Sequence, residues 1–159
     1  MSRLLESMQS GEEVAKDHLC GARMSIAADT EWFARESDEL LVKLTKQEFA
    51  VSLEEIADLE RRAEKRLPKE AVQSARRSCA DLRLDAALCT RQPYDECERR
   101  YQDLLDSGVD AELQLIKATI LVRAAGGEPR ARQHLSSALN RAGSANVSTA
   151  LQQAARELL

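Results

Sequence analysis

Apolar side chains recur every three or four residues along most of the chain, which is the spacing of one face of an amphipathic helix. Residues 53–67 show the pattern clearly, with Leu53, Ile56, Leu59 and Ala63. The chain lacks the alternating runs of β-branched residues that are typical of strands. The pattern therefore predicts an all-α fold built from antiparallel helical hairpins.

Pro and Gly residues mark the ends of most predicted helices, and short linkers indicate that successive helices are antiparallel. The helices predicted after residue 68 are 69–91, 94–105, 112–125, 129–141 and 147–159. Upstream, helices are predicted at 2–8 and from residue 12, and Asp29 with Thr30 predicts the cap of a third. Ser52 and Glu55 predict a capping box at the start of the next helix.

The balance of charge changes along the chain. Residues 1–60 carry 6 Lys and Arg against 14 Asp and Glu, whereas residues 61–159 carry 17 against 13. Opposite balances favour contact between the two parts, or with a charged partner. We therefore expect an acidic N-terminal helical section, 1–52, packed as one compact domain with helical hairpins at 53–159.

The C-terminal half contains an internal repeat with a period of 34 residues. The shift superposes positions in the second helix of two units: Cys97 on Ala131, Tyr101 on Leu135 and Leu104 on Ala138. The period predicts equal units at 78–111 and 112–145, followed by a capping helix at 146–159. A further shift of 34 residues toward the N-terminus recovers only Ala63 and Leu67, so only two units are predicted.

The stretch from Tyr94 to Leu105 resembles the second helix of a tetratricopeptide repeat (TPR). Cys97 stands at the small-residue site of that family, Tyr101 at its aromatic site and Leu104 at its second small site. The resemblance implies a right-handed array of hairpins with a concave peptide-binding groove. Since two repeats are too few to bury a core alone, the extra N-terminal helices must supply the missing face.

The helix predicted at 112–125 is apolar on two sides, and the resemblance implies that one of them lines the groove. The candidate partner-binding residues there are Leu82, Ala86, Leu113, Ile116, Ile120 and Arg123. An apolar groove fits an amphipathic helix better than a charged peptide tail. Two occupants remain open: an N-terminal helix of the same chain, or a helix of another protein.

Two other features of the sequence are candidates for contact with a partner. Trp32 lies beside Phe33 on a predicted helix, so Trp32 is a candidate contact anchor unless both rings lie in the core. The basic stretch from Arg61 to Arg77 could follow phosphates. Interleaved Glu residues, the absence of aromatic side chains for base stacking and the net charge of −4 favour a solvated, ion-paired face instead. We expect no nucleic-acid partner.

The chain shows no pattern of catalytic, metal-binding or cofactor-binding residues. The four cysteines form no C-x-x-C pair and the two histidines lie away from them, which predicts small buried residues with free thiols in a reducing compartment. A phosphate loop, a nucleophile elbow and a carboxylate signature are lacking. We expect no enzyme and no cofactor.

The remaining expectations concern location and function. No apolar run approaches the about 20 residues of a membrane span, and no signal peptide is evident, which predicts a cytoplasmic protein without membrane insertion. The sequence indicates a protein–protein interaction module, an adaptor or secretion-type chaperone that binds a partner helix or peptide. The alternative is a structural or scaffolding protein that associates with itself as a homo-oligomer.

Overall fold

A computed structural model describes the backbone of residues 22–159 and the side chains of residues 30–159, and these residues form seven α-helices and no strand. The helices are α1 Ala22–Lys43, α2 Phe49–Arg66, α3 Lys69–Cys89, α4 Tyr94–Asp106, α5 Ala111–Ala125, α6 Pro129–Gly143 and α7 Thr149–Arg156. The predicted all-α fold is confirmed. The helix predicted at 2–8, and the part of the next one before residue 22, lie outside the described residues. None of the seven helices is long and apolar enough to cross a bilayer.

Successive helices pair as three antiparallel hairpins, α1 with α2, α3 with α4 and α5 with α6. Each hairpin packs on the next, chiefly through the contact of α2 with α3 and of α4 with α5, and α7 closes the far end against α5 and α6. Helices α1, α3 and α5 are the first helices of the three hairpins.

Two hydrophobic clusters form the core, and α3 is the wall between them. In the N-terminal cluster, α1 and α2 pack against one face of α3, which contributes Leu82 and Ala86. In the C-terminal cluster, the opposite face of α3 contributes Leu84 and Ala87, which pack against α4 to α7. A helix that is apolar on two faces is covered on two sides, and this is the position of α3.

The second helix of every hairpin buries the same pattern of side chains: Ser52, Ile56, Leu59 and Ala63 in α2, Cys97, Tyr101 and Leu104 in α4, and Ala131, Leu135, Ala138 and Ala142 in α6. The spacing from α2 to α4 is 45 residues rather than 34. The difference arises mainly because α2 has 18 residues against 13 in α4, and α3 has 21 against 15 in α5. A third hairpin with this buried pattern therefore precedes the two predicted units, outside the 34-residue period.

Two predicted helix starts were wrong. Helix α1 runs without a break through Asp29 and Thr30, so these residues do not cap it. Helix α2 begins at Phe49, before the predicted capping box, and buries Ser52 completely. The side-chain amide of Gln47 donates to the Ser52 hydroxyl at 3.1 Å and to Glu55 at 3.3 Å, so both polar groups serve the tight connection from α1 instead.

Candidate functional site

The first helices of neighbouring units carry apolar pairs at equivalent positions. A shift of 34 residues places Leu82 and Ala86 of α3 on Ile116 and Ile120 of α5. Leu82 is 6% exposed and Ala86 is fully buried, because α1 and α2 pack against this side of α3. Ile116 is only half-buried, Ile120 is 37% exposed, and neither belongs to a core cluster. Helices α3 and α5 do not pack closely along each other, which leaves this second pair open.

We call the solvent-facing stripe of Glu112, Ile116, Ile120 and Arg123 the α5 face. The spacing of four, four and three residues places these side chains on one side of the helix. Glu112 and Arg123 are exposed, and neither forms an ion pair with the described residues. Leu113 lies at the edge of this stripe, half-buried against the C-terminal cluster. The α5 face therefore combines an apolar centre with an acidic and a basic end.

Local sequence signals fix both ends of α5. Asp110 caps the helix, because its side-chain oxygen accepts the Leu113 N–H at 2.7 Å. The helix ends at Gly126, which adopts a left-handed conformation with φ of 59°. Gly126 and Gly127 both have positive φ, a region that glycine enters at little cost. The α5 face therefore lies on a helix whose two ends are set by local sequence.

A buried ion triad bridges the space between α3 and α5. Lys117 Nζ lies 2.7 Å from Asp81 Oδ1 and 2.8 Å from Asp85 Oδ1. Lys117 is only 8% exposed, whereas the two carboxylates remain partly open to solvent. With both carboxylates ionised, the triad carries a net charge of −1, level with the middle of the α5 face.

Burial and charge act against each other in the triad. Burial alone would lower the pKa of Lys117, but the two carboxylates outweigh it and raise that pKa above its ordinary value. Burial raises the pKa of Asp85, although Lys117 opposes the shift. Lys117 is therefore a permanent cation at neutral pH, which suits a structural bridge and not a nucleophilic amine.

Cys89 follows Asp85 by one helical turn and is exposed, which corrects the expectation that this cysteine is buried. Burial of its sulfur and the charge of Asp85 raise the pKa of the Cys89 thiol, so it stays protonated near neutrality. Cys79 and Cys97 are buried as predicted, and all three have free thiols. Cys20 lies outside the described residues. The exposed thiol beside the triad is thus a poor nucleophile.

A cleft of about 410 Å³ lies beside the C-terminal end of α5, next to the end of the α5 face that carries Arg123. Its apolar wall comes from Leu88, Leu121, Ala124 and Ala125, and its remaining lining residues are Arg91, Gln92, Tyr94 and Cys97. Arg91 has φ of 54°, and its guanidinium has no ion-pair partner among residues 30–159. The cleft therefore adds apolar surface and a second unpaired cation to the basic end of the face.

The other predicted contact residues lie in the N-terminal half of the array. Trp32 is 8% exposed within the N-terminal cluster, and the Arg66 guanidinium stacks 3.9 Å from the centre of its ring. In the basic stretch, Arg62 pairs with Glu36 at 3.3 Å and with Asp58 at 2.9 Å. Several cations of this stretch are thus already paired within the chain, and Trp32 is packed inside.

Of the predicted partner-binding residues, Leu82, Ala86 and Trp32 lie in the core, whereas Ile116, Ile120 and Arg123 lie together on the α5 face. The ion triad was not predicted from the sequence, where the one-turn spacing of Asp81 and Asp85 was the available signal. Comparison of the chain with protein-family models, curated proteins and solved structures gives no match. The function is therefore argued from the geometry of the site.

Proposed function

We propose that this chain is a protein–protein interaction module that binds an amphipathic helix of a partner protein on the α5 face. One observation carries the proposal: Ile120 is 37% exposed and Ile116 only half-buried, whereas the equivalent Leu82 and Ala86 of the preceding unit are buried where α1 and α2 pack against α3. Helix α1 contributes Trp32, Phe33 and Leu40 to that apolar cluster. The array thus contains an internal example of a helix seated at this position.

The chemistry of the surroundings supports binding rather than turnover. A helix docked in a groove is held by apolar anchors spaced three or four residues apart, and Ile116 and Ile120 offer a complementary pair. Lys117 is held as a cation and Cys89 as a thiol, so neither is prepared for covalent catalysis. We therefore infer an adaptor or chaperone of the TPR-like class that has no enzymatic activity. Free thiols at the described cysteines support a cytoplasmic place of action.

Site-specific photo-crosslinking in the cells that produce the protein tests this proposal. A photoreactive residue at Ile120 should capture one protein other than this chain, and the crosslinked peptide of that protein should be an amphipathic helix. The matched control is the same residue at Arg132, which is exposed on α6. Crosslinks of equal yield and identity at both positions, or none at Ile120, would contradict the proposal.

Loss of the apolar centre gives the second arm of the test. Ile120→Asp should reduce at least tenfold the amount of the crosslink-identified protein that co-purifies with this chain, because a buried unpaired carboxylate is costly in an apolar interface. Arg132→Asp should leave recovery unchanged. Circular dichroism of both variants should match that of the parent protein, since both positions are exposed.

A further inference from the structure

We propose that, when no partner helix is bound, two copies of this chain pair through their α5 faces in antiparallel orientation. The inference rests on the proposed function, because it uses the same docking surface. Its carrying observation is the order of side chains along the face: Glu112, then Ile116 and Ile120, then Arg123. An acidic end, an apolar centre and a basic end form a surface that complements itself after a half-turn.

The spacing along α5 fits a two-fold axis between the two isoleucines. An α-helix rises about 1.5 Å per residue, so Glu112 lies about 9 Å to one side of that point and Arg123 about 7.5 Å to the other. An antiparallel pair therefore places Ile116 opposite the second copy's Ile120, and Glu112 beside the second copy's Arg123. Each contact occurs twice, as an isologous interface requires.

The two charged ends of the α5 face select the orientation. Antiparallel pairing places Glu112 of each copy beside Arg123 of the other, whereas parallel pairing brings Glu112 beside Glu112 and Arg123 beside Arg123. The ion triad has no part in this selection, because Lys117 lies level with the middle of the face.

The apolar contact is small, and surface ion pairs contribute little to stability. We therefore expect a weak, reversible dimer that an amphipathic helix with a larger apolar side displaces. In sedimentation equilibrium at low salt, the average mass should rise with concentration from 17.7 kDa toward twice that value. Added salt should weaken the association, since the flanking contacts are exposed.

Charge reversal distinguishes the antiparallel dimer from other contacts. Glu112→Arg alone and Arg123→Glu alone should each weaken association about tenfold, because each brings like charges together twice. The double variant Glu112→Arg/Arg123→Glu should recover association to within a few fold of the parent protein. Both positions are exposed, so the melting temperature should change little. The matched control is Arg132→Glu on α6, with no effect on mass.

Three results would overturn this inference. The parent protein could remain monomeric at all concentrations. The Arg123→Glu variant could dimerise as well as the parent protein, or the double variant could fail to regain the association that the single variants lose. The proposed function fails separately. If the chain is monomeric but the crosslink from Ile120 to a partner helix persists, only the dimer is refuted. If the dimer forms and Ile120→Asp still captures the same partner, the dimer stands and helix binding on the α5 face is refuted.

Discussion

Lys117 is the side chain that joins the second and third hairpins electrostatically. Lys117→Met removes the only cation of the triad and leaves the partly buried Asp81 and Asp85 side by side. We expect the free energy of unfolding at pH 7 to fall by about 1–3 kcal/mol, less than for a fully buried pair because water still reaches both carboxylates. Asp85→Asn keeps one ion pair and should cost less than about 1 kcal/mol. Urea denaturation measures both, and equal losses would contradict a charge-coupled triad.

The pH dependence of the stability of Lys117→Met shows whether charge causes its loss of stability. Burial raises the pKa of Asp85 in the folded protein, and loss of Lys117 removes the group that opposes this shift. A carboxyl whose folded pKa is raised lowers stability at pH values above that pKa, and the loss is recovered as the pH falls below its unfolded value of about 3.9. The deficit of Lys117→Met should therefore shrink from pH 7 toward pH 4. A deficit that stays constant over this range would mean that lost packing, not charge, is the cause.

Arg91 holds a backbone conformation that favours glycine. Its φ of 54° lies in the left-handed region, which costs a non-glycine residue roughly 1–2 kcal/mol. Arg91→Gly should therefore raise the free energy of unfolding by about 0.5–1 kcal/mol, after the greater chain entropy of glycine is subtracted. Arg91→Ala, the control, keeps the strained φ and should give no gain. Thermal unfolding of the two variants tests this, and equal melting temperatures would contradict it.

The packing of α6 makes a prediction at the level of elements. Ala131 is 1% exposed, and Ala131→Leu adds volume where α6 is closely packed. We expect a loss of about 1–3 kcal/mol and a lower melting temperature. Gln133→Leu, on the exposed side of the same helix, should have little effect. If the two variants melt alike, the 34-residue register of the second helices is incorrect.

The helices from α3 to α6 could be predicted to within about two residues, because Pro and Gly mark their ends. The start of α2 could not. Ser52 and Glu55 fit a capping box in sequence, but Gln47 engages both side chains and Ser52 belongs to the core. The first hairpin was missed as a repeat for a different reason. Its pattern of Ser52, Ile56 and Leu59 is regular, but longer helices displace it from the 34-residue period.

At the scale of the whole molecule, the sequence predicted apolar pairs on the first helices of the hairpins but not which pair is covered. Leu82 and Ala86 stand in the same pattern as Ile116 and Ile120, so periodicity alone assigns both pairs to one groove. Which pair is covered depends on where α1 packs, and that is set by tertiary contacts that no local signal encodes. The ion triad was missed because it joins residues about 32 to 36 positions apart.

The most direct test compares the free energy of unfolding of two variants in which a large apolar side chain on a first helix is replaced by Ala. Leu82→Ala should lower the free energy of unfolding by about 2–5 kcal/mol, because Leu82 is buried between α3 and the first hairpin and a cavity is left behind. Ile120→Ala should lower it by no more than about 1 kcal/mol when measured at a concentration where the chain is monomeric, since Ile120 is 37% exposed and Ala is the better helix former. A loss of several kcal/mol at both positions would mean that the chain already covers its α5 face, and would contradict a docking surface there.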